Sequence, residues 1–219
     1  YAGLDLTTDP WGFLFAYREI DEGFDPAMGF VRRDGYRSGF GTLRRSIRPG
    51  KWGVRRVSFR LQGNAFESLV HNQTESTSTN LECELELESG DEIKVNLSRS
   101  FERLFEAFEL DEELVFAAGD YTFFDASVSY DSDRSRRWGV DAELRGGEFF
   151  DGHRTQVEGD VWLVLNRHFR TSASYANYDI SADHGAVDWQ LWAVRLDYTF
   201  SSTLSASGFV QHNSSTAAT

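Results

Sequence analysis

The feature that most constrains the fold is a strict alternation of apolar and acidic residues between Leu81 and Glu88. The segment reads Leu-Glu-Cys-Glu-Leu-Glu-Leu-Glu, which would place apolar or small side chains on one side and carboxylates on the other. A period of two residues is that of a β-strand, whereas an α-helix repeats every 3.6 residues. The segment therefore separates its two kinds of side chain only if it is a strand.

The same alternation recurs along the whole chain and predicts an all-β protein. Alternating segments lie near 11–20, 35–47, 54–70, 80–88, 92–100, 120–130, 136–148, 155–165, 170–180, 189–200 and 204–213, with a leading stub from Ala2 to Leu6. We expect roughly twelve strands in an antiparallel meander. At the sharpest hairpin, a three-residue loop 89–91 would pair Glu88 with Glu92 and Leu87 with Ile93, because opposed residues share a face.

The links between these segments alternate in length, and the segments are long. Short links such as 48–51, 89–91 and 131–134 alternate with longer ones at 21–34, 71–79, 101–119, 149–154 and 181–188. Strands of about 9–13 residues suit a membrane, since soluble strands average about 5–6. The pattern indicates an up-and-down transmembrane β-barrel, or a twelve-strand piece of one. The alternative is a soluble barrel or sandwich, whose strands also alternate.

The alternation assigns each side chain to a face. Charged side chains in mid-strand would line a watery lumen: Arg56, Arg60, Glu82, Glu84, Glu86, Lys94, Asp141, Glu143, Arg145 and Arg195. Their apolar neighbours would face lipid: Phe13, Phe15, Leu85, Leu87, Phe124, Val128, Val140, Leu144, Trp192, Val194, Leu196 and Tyr198. The opposite charges either orient polar solutes in a transverse field or simply neutralise one another. Trp162 and Trp189 fall on the polar side of their strands, where we expect them to pack in the lumen.

Composition excludes several other classes of protein. The 219 residues carry 35 acidic against 22 basic side chains, a net charge of −13 that argues against nucleic acid as a partner. The single cysteine, Cys83, excludes an internal disulfide framework. No Cys/His spacing indicates a metal site, and nothing indicates a cofactor. A content of 15% aromatic residues is too high for a disordered chain.

A set of short motifs supports a family resemblance. They read FDPAMGFVRRDGY at 24–36, FERL at 101–104, FEL at 108–110, AGDY at 118–121, GGEFFDGHR at 146–154 and FVQHN at 209–213. In this order and spacing they resemble the C-terminal barrel, of unknown function, of a Gram-negative bacterial outer-membrane family. That barrel usually follows a family 9 carbohydrate-binding-like domain. The resemblance implies that 1–219 is one barrel domain in the outer membrane, truncated at both ends, with the binding module and last strands outside it.

The charged lumen and the resemblance together predict a function without assigning a cargo. We expect a porin-like barrel, bound to outer-membrane lipid, for passage or surface handling of polar solutes or glycans. One alternative is a membrane-associated hydrolase with loop-borne residues. No catalytic residues can be assigned, and His153 beside Asp151 is the nearest approach to a catalytic pair. Another alternative is a structural anchor for the carbohydrate-binding domain.

The long link 101–119 bears on the choice between a pore and an anchor. Phe101, Leu104, Phe105 and Phe108 have helical spacing, so the segment could form a short helix in the lumen or over its mouth. It could equally continue the preceding strand into an ordered loop. A lumen filled by this segment would favour the anchor.

Overall fold

The computed structural model describes residues 1–21, 23, 35–111 and 114–217, with side chains through residue 214. Its strands are β1 Ala2–Thr7, β2 Trp11–Ile20, β3 Tyr36–Ile47, β4 Val54–Ser68, β5 Gln73–Leu87, β6 Glu92–Leu104, β7 Phe108–Asp111, β8 Leu114–Phe116, β9 Gly119–Asp131, β10 Trp138–Phe149, β11 Gly152–Val164, β12 Phe169–Ala182, β13 Gly185–Ser201 and β14 Leu204–Ala217. Twelve of them form one sheet, and β7 and β8 form a separate two-stranded hairpin. The all-β class and the twelve antiparallel strands predicted from the alternation are confirmed.

Strand order in the large sheet follows chain order, so each strand pairs with the next in the meander. The registers are continuous from strand to strand. Leu43 opposes Leu61, which opposes Leu81, and on the other face Arg60 opposes Glu82. Strands β1 and β14 are the two edges, and within the described residues each pairs on one side only. The described part of the chain is therefore one open antiparallel sheet with two chemically distinct faces.

The hairpin between β5 and β6 has the predicted three-residue loop, displaced by one residue. The Leu87 N–H donates to the carbonyl of Asp91 at 2.9 Å, which leaves 88–90 as the loop, and Gly90 has a φ of 86°. A glycine at the left-handed third position is the usual ending of such a loop. The predicted pairs are wrong by two residues, because Glu86 opposes Glu92 and Leu85 opposes Ile93. Asp91 pairs with Leu87 through the backbone and contacts the neighbouring link, so β5 ends one residue earlier than predicted and β6 begins at Glu92 as predicted.

Three links predicted to be long are short. The strands continue through these regions and leave links of 69–72, 150–151 and 183–184, where we expected 71–79, 149–154 and 181–188. The first extension is rich in Ser, Thr and Asn, for example Thr77 and Ser78 opposite Ala65 and Asn64. The hydrogen bonds between strands join backbone groups and do not need apolar side chains. The strands therefore continue beyond the residues where the apolar–polar alternation stops. The expected link 21–34 lies almost wholly outside the described residues.

The long link after β6 contains the hairpin β7–β8, where we considered a helix. Phe101 and Leu104 belong to β6 and Phe108 begins β7, so the described residues of this link contain no helix. Leu114 and Phe116 are fully buried in a cluster with Ile180 and Val187. Ile180 and Val187 oppose each other on the same sheet face as the charged residues. The hairpin thus covers that face at the end of β12 and β13.

Candidate functional site

We call the sheet surface that carries the predicted lumen residues the charged face, and the opposite surface the apolar face. The registers place all ten predicted lumen residues on the charged face and all the predicted lipid-facing residues on the apolar face. The predicted lumen residues extend over most of the sheet, from Arg60 on β4 to Arg195 on β13.

Most charges on the face of β4, β5 and β6 are paired across strands. Arg56 lies 3.4 Å from Glu84 and 3.0 Å from Glu86, and Arg60 lies 2.7 Å from Glu82. Because these groups are partly exposed, each pair contributes at most about 1 kcal/mol. Their main effect is to hydrate this region of the sheet with little net charge. The geometry favours neutralisation here over a strong transverse field.

A second charged group lies between β9, β10 and β11. Asp125, whose side chain is 4% exposed, accepts ion pairs from Arg145 at 3.1 Å and from Arg154 at 3.3 Å. Arg145 also contacts Glu143 at 3.1 Å. Arg145 and Glu143 belong to the predicted lumen set. The alternation places Asp125 on the polar side of its strand, but Asp125 was not included in that set, and Arg154 fell in the predicted link 149–154.

An acidic recess of about 410 Å³ lies beside this group, toward the short links. Asp141 opposes Asp160 and Glu143 opposes Glu158 across the β10–β11 ladder. Like charges directly opposed destabilise a sheet, so cations must offset them. Lys94 and Arg134 line the recess and supply that charge, Arg134 through an ion pair with Asp141. Among the described residues, no group of three or more His, Cys, Asp or Glu side chains could hold a metal ion.

An aromatic cluster covers the charged face at the opposite end, next to the hairpin. The Phe116 ring stacks on Phe150 with centroids 4.6 Å apart and meets Phe149 edge-on at 5.8 Å. The Arg154 guanidinium lies 5.0 Å from the centroid of the Phe149 ring. The hairpin therefore rests on an apolar layer, and the buried Asp125–Arg154 pair lies next to that layer. Trp189 packs against the same cluster, which accounts for its place on the polar side of β13.

His153 and Asp151, the nearest approach to a catalytic pair in the sequence, are not brought together. His153 opposes Glu148 on the apolar face and is exposed. Asp151 instead lies 3.9 Å from Nδ1 of His184, whose ring meets Phe116 edge-on at 5.4 Å. His184 is therefore part of the packing of the hairpin.

Two short links are joined by a polar network centred on Asp91. Its carboxylate accepts hydrogen bonds from Arg136 at 2.9 Å, from the Ser89 hydroxyl at 2.8 Å and from the Asp133 backbone N–H at 3.1 Å. The Arg136 guanidinium is the largest of the causes that lower the pKa of Asp91 from 3.8 to about 2. The link 88–91 is thus tied to the link that follows β9.

The apolar face is uncovered in the described part of the chain. Its stripe on β13 is about half exposed, at 53% for Trp192, 47% for Leu196 and 57% for Phe200. From Trp192 to Phe200 the stripe is about 26 Å long at 3.3 Å per residue. Toward the end of the sheet where the hairpin β7–β8 lies, the same face becomes polar, with Asp188 and Gln190 on β13 and the ion pair Arg103–Asp120 on β6 and β9. Within the part of the chain that the structure describes, neither a helix nor a second sheet packs on this stripe.

These features define an all-β protein built on a single two-faced antiparallel sheet. No protein-family model, curated protein or solved structure matches the chain. No described segment forms a helix long and apolar enough to cross a membrane. The family resemblance stays a prediction, and most of its first motif, 24–36, lies outside the described residues.

Proposed function

We propose that the protein is an outer-membrane β-barrel whose charged face lines a watery interior for polar solutes, glycans among them. The observation that carries the proposal is that one sheet has an apolar face and an opposite face rich in charged side chains. One face has an uncovered apolar band that ends at a polar margin, and the other has cross-strand ion pairs. Water on both sides would leave the apolar band exposed, whereas lipid on one side and water on the other suits both faces.

The dimensions of the band agree with the proposal. Barrel strands tilt by about 35–45°, so a stripe about 26 Å long along the strand covers about 20 Å of bilayer depth, near the roughly 25 Å apolar band of such barrels. Aromatic side chains lie at both margins of the band, Trp138 and Tyr198 toward the short links and Tyr17 and Trp192 toward the long ones. Tyr and Trp prefer the two membrane interfaces.

The proposed barrel requires that the sheet is closed at its two edge strands. Unpaired backbone N–H and C=O groups are costly in hydrocarbon, so β1 and β14 would have to pair with each other or with further strands. In either arrangement the charged face turns inward and the hairpin β7–β8 lies inside, at the end of the interior next to the links 150–151 and 183–184.

A structural anchor is the second candidate, and the hairpin favours it. Leu114 and Phe116 are fully buried against the charged face, so the hairpin fills space that an open pore would leave to water. Because it covers one end of the interior only, a narrowed passage and a plugged barrel both fit this arrangement. We do not propose the hydrolase, because His153 and Asp151 lie apart.

Planar-bilayer recording on the purified protein separates the two candidates. A pore gives discrete conductance steps, and polar solutes large enough to enter reduce them. A plugged anchor gives no steps, and steps then arise when Phe116→Asp expels the hairpin. Val115→Asp is the matched control, because Val115 lies next to Phe116 and is 42% exposed.

Membrane placement is tested independently with adjacent positions on opposite faces. In a Cys83→Ser background, spin labels at Val194→Cys and Ala193→Cys report on the apolar and charged faces respectively. In vesicles, the label at 194 is expected to be relaxed by oxygen, which concentrates in lipid, and the label at 193 by a water-soluble nickel complex. Equal accessibility to the nickel complex at both positions would contradict the proposal.

A further inference from the structure

A second recess, distinct from the acidic one, lies on the charged face near the short links. It has a volume of about 420 Å³ and lies across β11, β12 and β13. Its walls are formed by Arg134, Trp162, Arg170, Ser172, Arg195 and Asp197. Of these residues, Arg195 belongs to the charged set predicted for the lumen, and Trp162 was expected to pack in the lumen.

Trp162 is the rigid wall of this recess. It is 6% exposed and lies against Gly139, where an added Cβ would come within 2.5 Å of the indole ring. The Arg134 guanidinium lies over the ring, 5.6 Å from its centroid. The buried indole N–H has no hydrogen-bond acceptor among the described residues. Because this N–H is shielded from solvent, the indole contributes a wall to the recess and not a hydrogen-bond donor.

Two arginines of the recess also lack the partners that others on this face have. Arg170 opposes Asp197 and Arg195 opposes Ser172 in the β12–β13 ladder. Neither forms an ion pair with a carboxylate of the described residues, and the Arg195 guanidinium lies 5.2 Å from the centroid of the Phe209 ring. Arg134 is neutralised by Asp141. Among the described residues, two guanidinium groups without an ion pair face one carboxylate, Asp197, which leaves the recess with net positive charge.

We propose that this recess binds a small hydroxylated anion, such as an acidic monosaccharide. Arg170 and Arg195 hold its carboxylate, because a guanidinium donates two parallel hydrogen bonds to such a group. Asp197 and Ser172 bind its hydroxyl groups, and the Trp162 ring closes one side of the recess. The walls come from neighbouring strands of one ladder, so the site is formed whether or not the sheet encloses a pore.

Isothermal titration of the folded protein in detergent with D-glucuronate tests the site. Saturable binding is expected, with a dissociation constant at least tenfold lower than that for D-glucose, which keeps the hydroxyl groups and lacks the charge. Acetate, which keeps the charge and lacks the hydroxyl groups, is expected to bind at least tenfold more weakly than glucuronate. Glucose binding as tightly as glucuronate would overturn anion recognition. Acetate binding as tightly would overturn the role of Asp197 and Ser172.

Variants tie the binding to this recess. Arg170→Gln and Arg195→Gln are each expected to raise the glucuronate dissociation constant about tenfold, because a charge-assisted hydrogen bond is lost. Arg167→Gln is the matched control, since it removes the same charge from an adjacent link outside the recess. An equal loss in the control, or no saturable glucuronate binding by the wild type, refutes the site. Circular dichroism establishes that each variant keeps the sheet. If the protein binds glucuronate but shows no conductance, the pore proposal is refuted and the proposal of this binding site stands.

Discussion

Asp91 shows how single residues hold the sheet at its short links. It belongs to the loop between β5 and β6, yet its strongest partner, Arg136, lies in the link between β9 and β10. The low pKa of Asp91, about 2, reflects stabilisation of the charged form by Arg136, the Asp133 N–H and Ser89. Because the folded pKa is below the ordinary value of 3.8, this contribution to stability is complete above that value and declines as the pH falls toward 2.

Replacing Asp91 with Asn tests this assignment through the pH dependence of unfolding. We expect the urea midpoint of the wild type to fall between pH 4 and pH 2, as the folded carboxylate takes up its proton. In Asp91→Asn the midpoint is expected to be lower at pH 7 and to fall less over that interval. Glu88→Gln is the control, because Glu88 is an exposed carboxylate of the same loop. A pH profile of Asp91→Asn that parallels the wild type would contradict the assignment.

Gly90 is the second residue on which this loop depends. Its φ of 86° disfavours L-residues, and a Cβ there would lie 2.2 Å from the Asp133 carboxylate. Gly50 also has a positive φ, 58°, but no atom lies within 4 Å of its added Cβ. We expect Gly50→Ala to cost about 1 kcal/mol of unfolding free energy from backbone strain alone, and Gly90→Ala at least about twice that. Urea titration measures both, and equal losses would show that the Asp133 contact is unimportant.

At the scale of elements, the hairpin β7–β8 is the part of the molecule with its own apolar core. Phe150 contributes to that core from a link in which its φ is 51°, an uncommon value for a non-glycine residue. Its ring contacts Phe116, Phe149 and Tyr121, with centroids 4.6–5.1 Å apart. These contacts offset the strain, so the link 150–151 and the hairpin are expected to stabilise each other.

Truncation of Phe116 is expected to release the hairpin. A buried Phe replaced by Ala costs about 3–5 kcal/mol, which exceeds what the remaining contacts of a short hairpin can supply. Hydrogen exchange of the β7 and β8 amides in Phe116→Ala should therefore be much faster than in wild type, with exchange in β4 and β5 unchanged. Val115→Ala on the same strand is expected to leave exchange nearly unchanged. Equal protection in Phe116→Ala would show that another contact holds the hairpin.

Elements differ in how far the sequence predicts them. The alternation from Leu81 to Glu88 fixed the faces of β5, because side-chain direction in a strand depends only on residue parity. The register between β5 and β6 depended on contacts of Asp91 with Arg136, which is distant in sequence and enters through a tertiary contact. The hairpin β7–β8 was missed for a related reason: the apolar spacing of Phe101, Leu104 and Phe108 is helical, yet burial against Ile180 and Val187 determines the structure.

In the candidate site too, odd and even positions along a strand predict which face a side chain lies on, but not which residues it contacts. Parity placed Arg195 and the other predicted lumen residues on one face. It could not reveal that Arg56 and Arg60 are neutralised whereas Arg170 and Arg195 are not, because that depends on cross-strand registers and side-chain conformations. Trp162 illustrates the limit, since its place on the polar side is explained only by Gly139 across the ladder and Arg134 above the ring.

The whole molecule is organised by the separation of its two faces over twelve strands. Each face is continuous across the sheet. If lipid covers the apolar face, a charge introduced there meets hydrocarbon, whereas a charge introduced on the charged face meets water. Val194 and Ala193 are adjacent on β13 and lie on the apolar and charged faces respectively. Because they are neighbours, they lie at nearly the same depth and differ in direction alone.

Arginine substitution at these two positions tests the membrane orientation of the entire sheet. Val194→Arg is expected to reduce the free energy of folding into lipid vesicles by about 2 kcal/mol or more, because a lipid-facing guanidinium must leave water. Ala193→Arg is expected to change it by less than about 1 kcal/mol, since the charged face is hydrated and Ser174 and Gln211 lie opposite. Urea titration in vesicles measures both values. Equal small costs would mean that the apolar face meets water or protein, and the outer-membrane proposal would then be wrong.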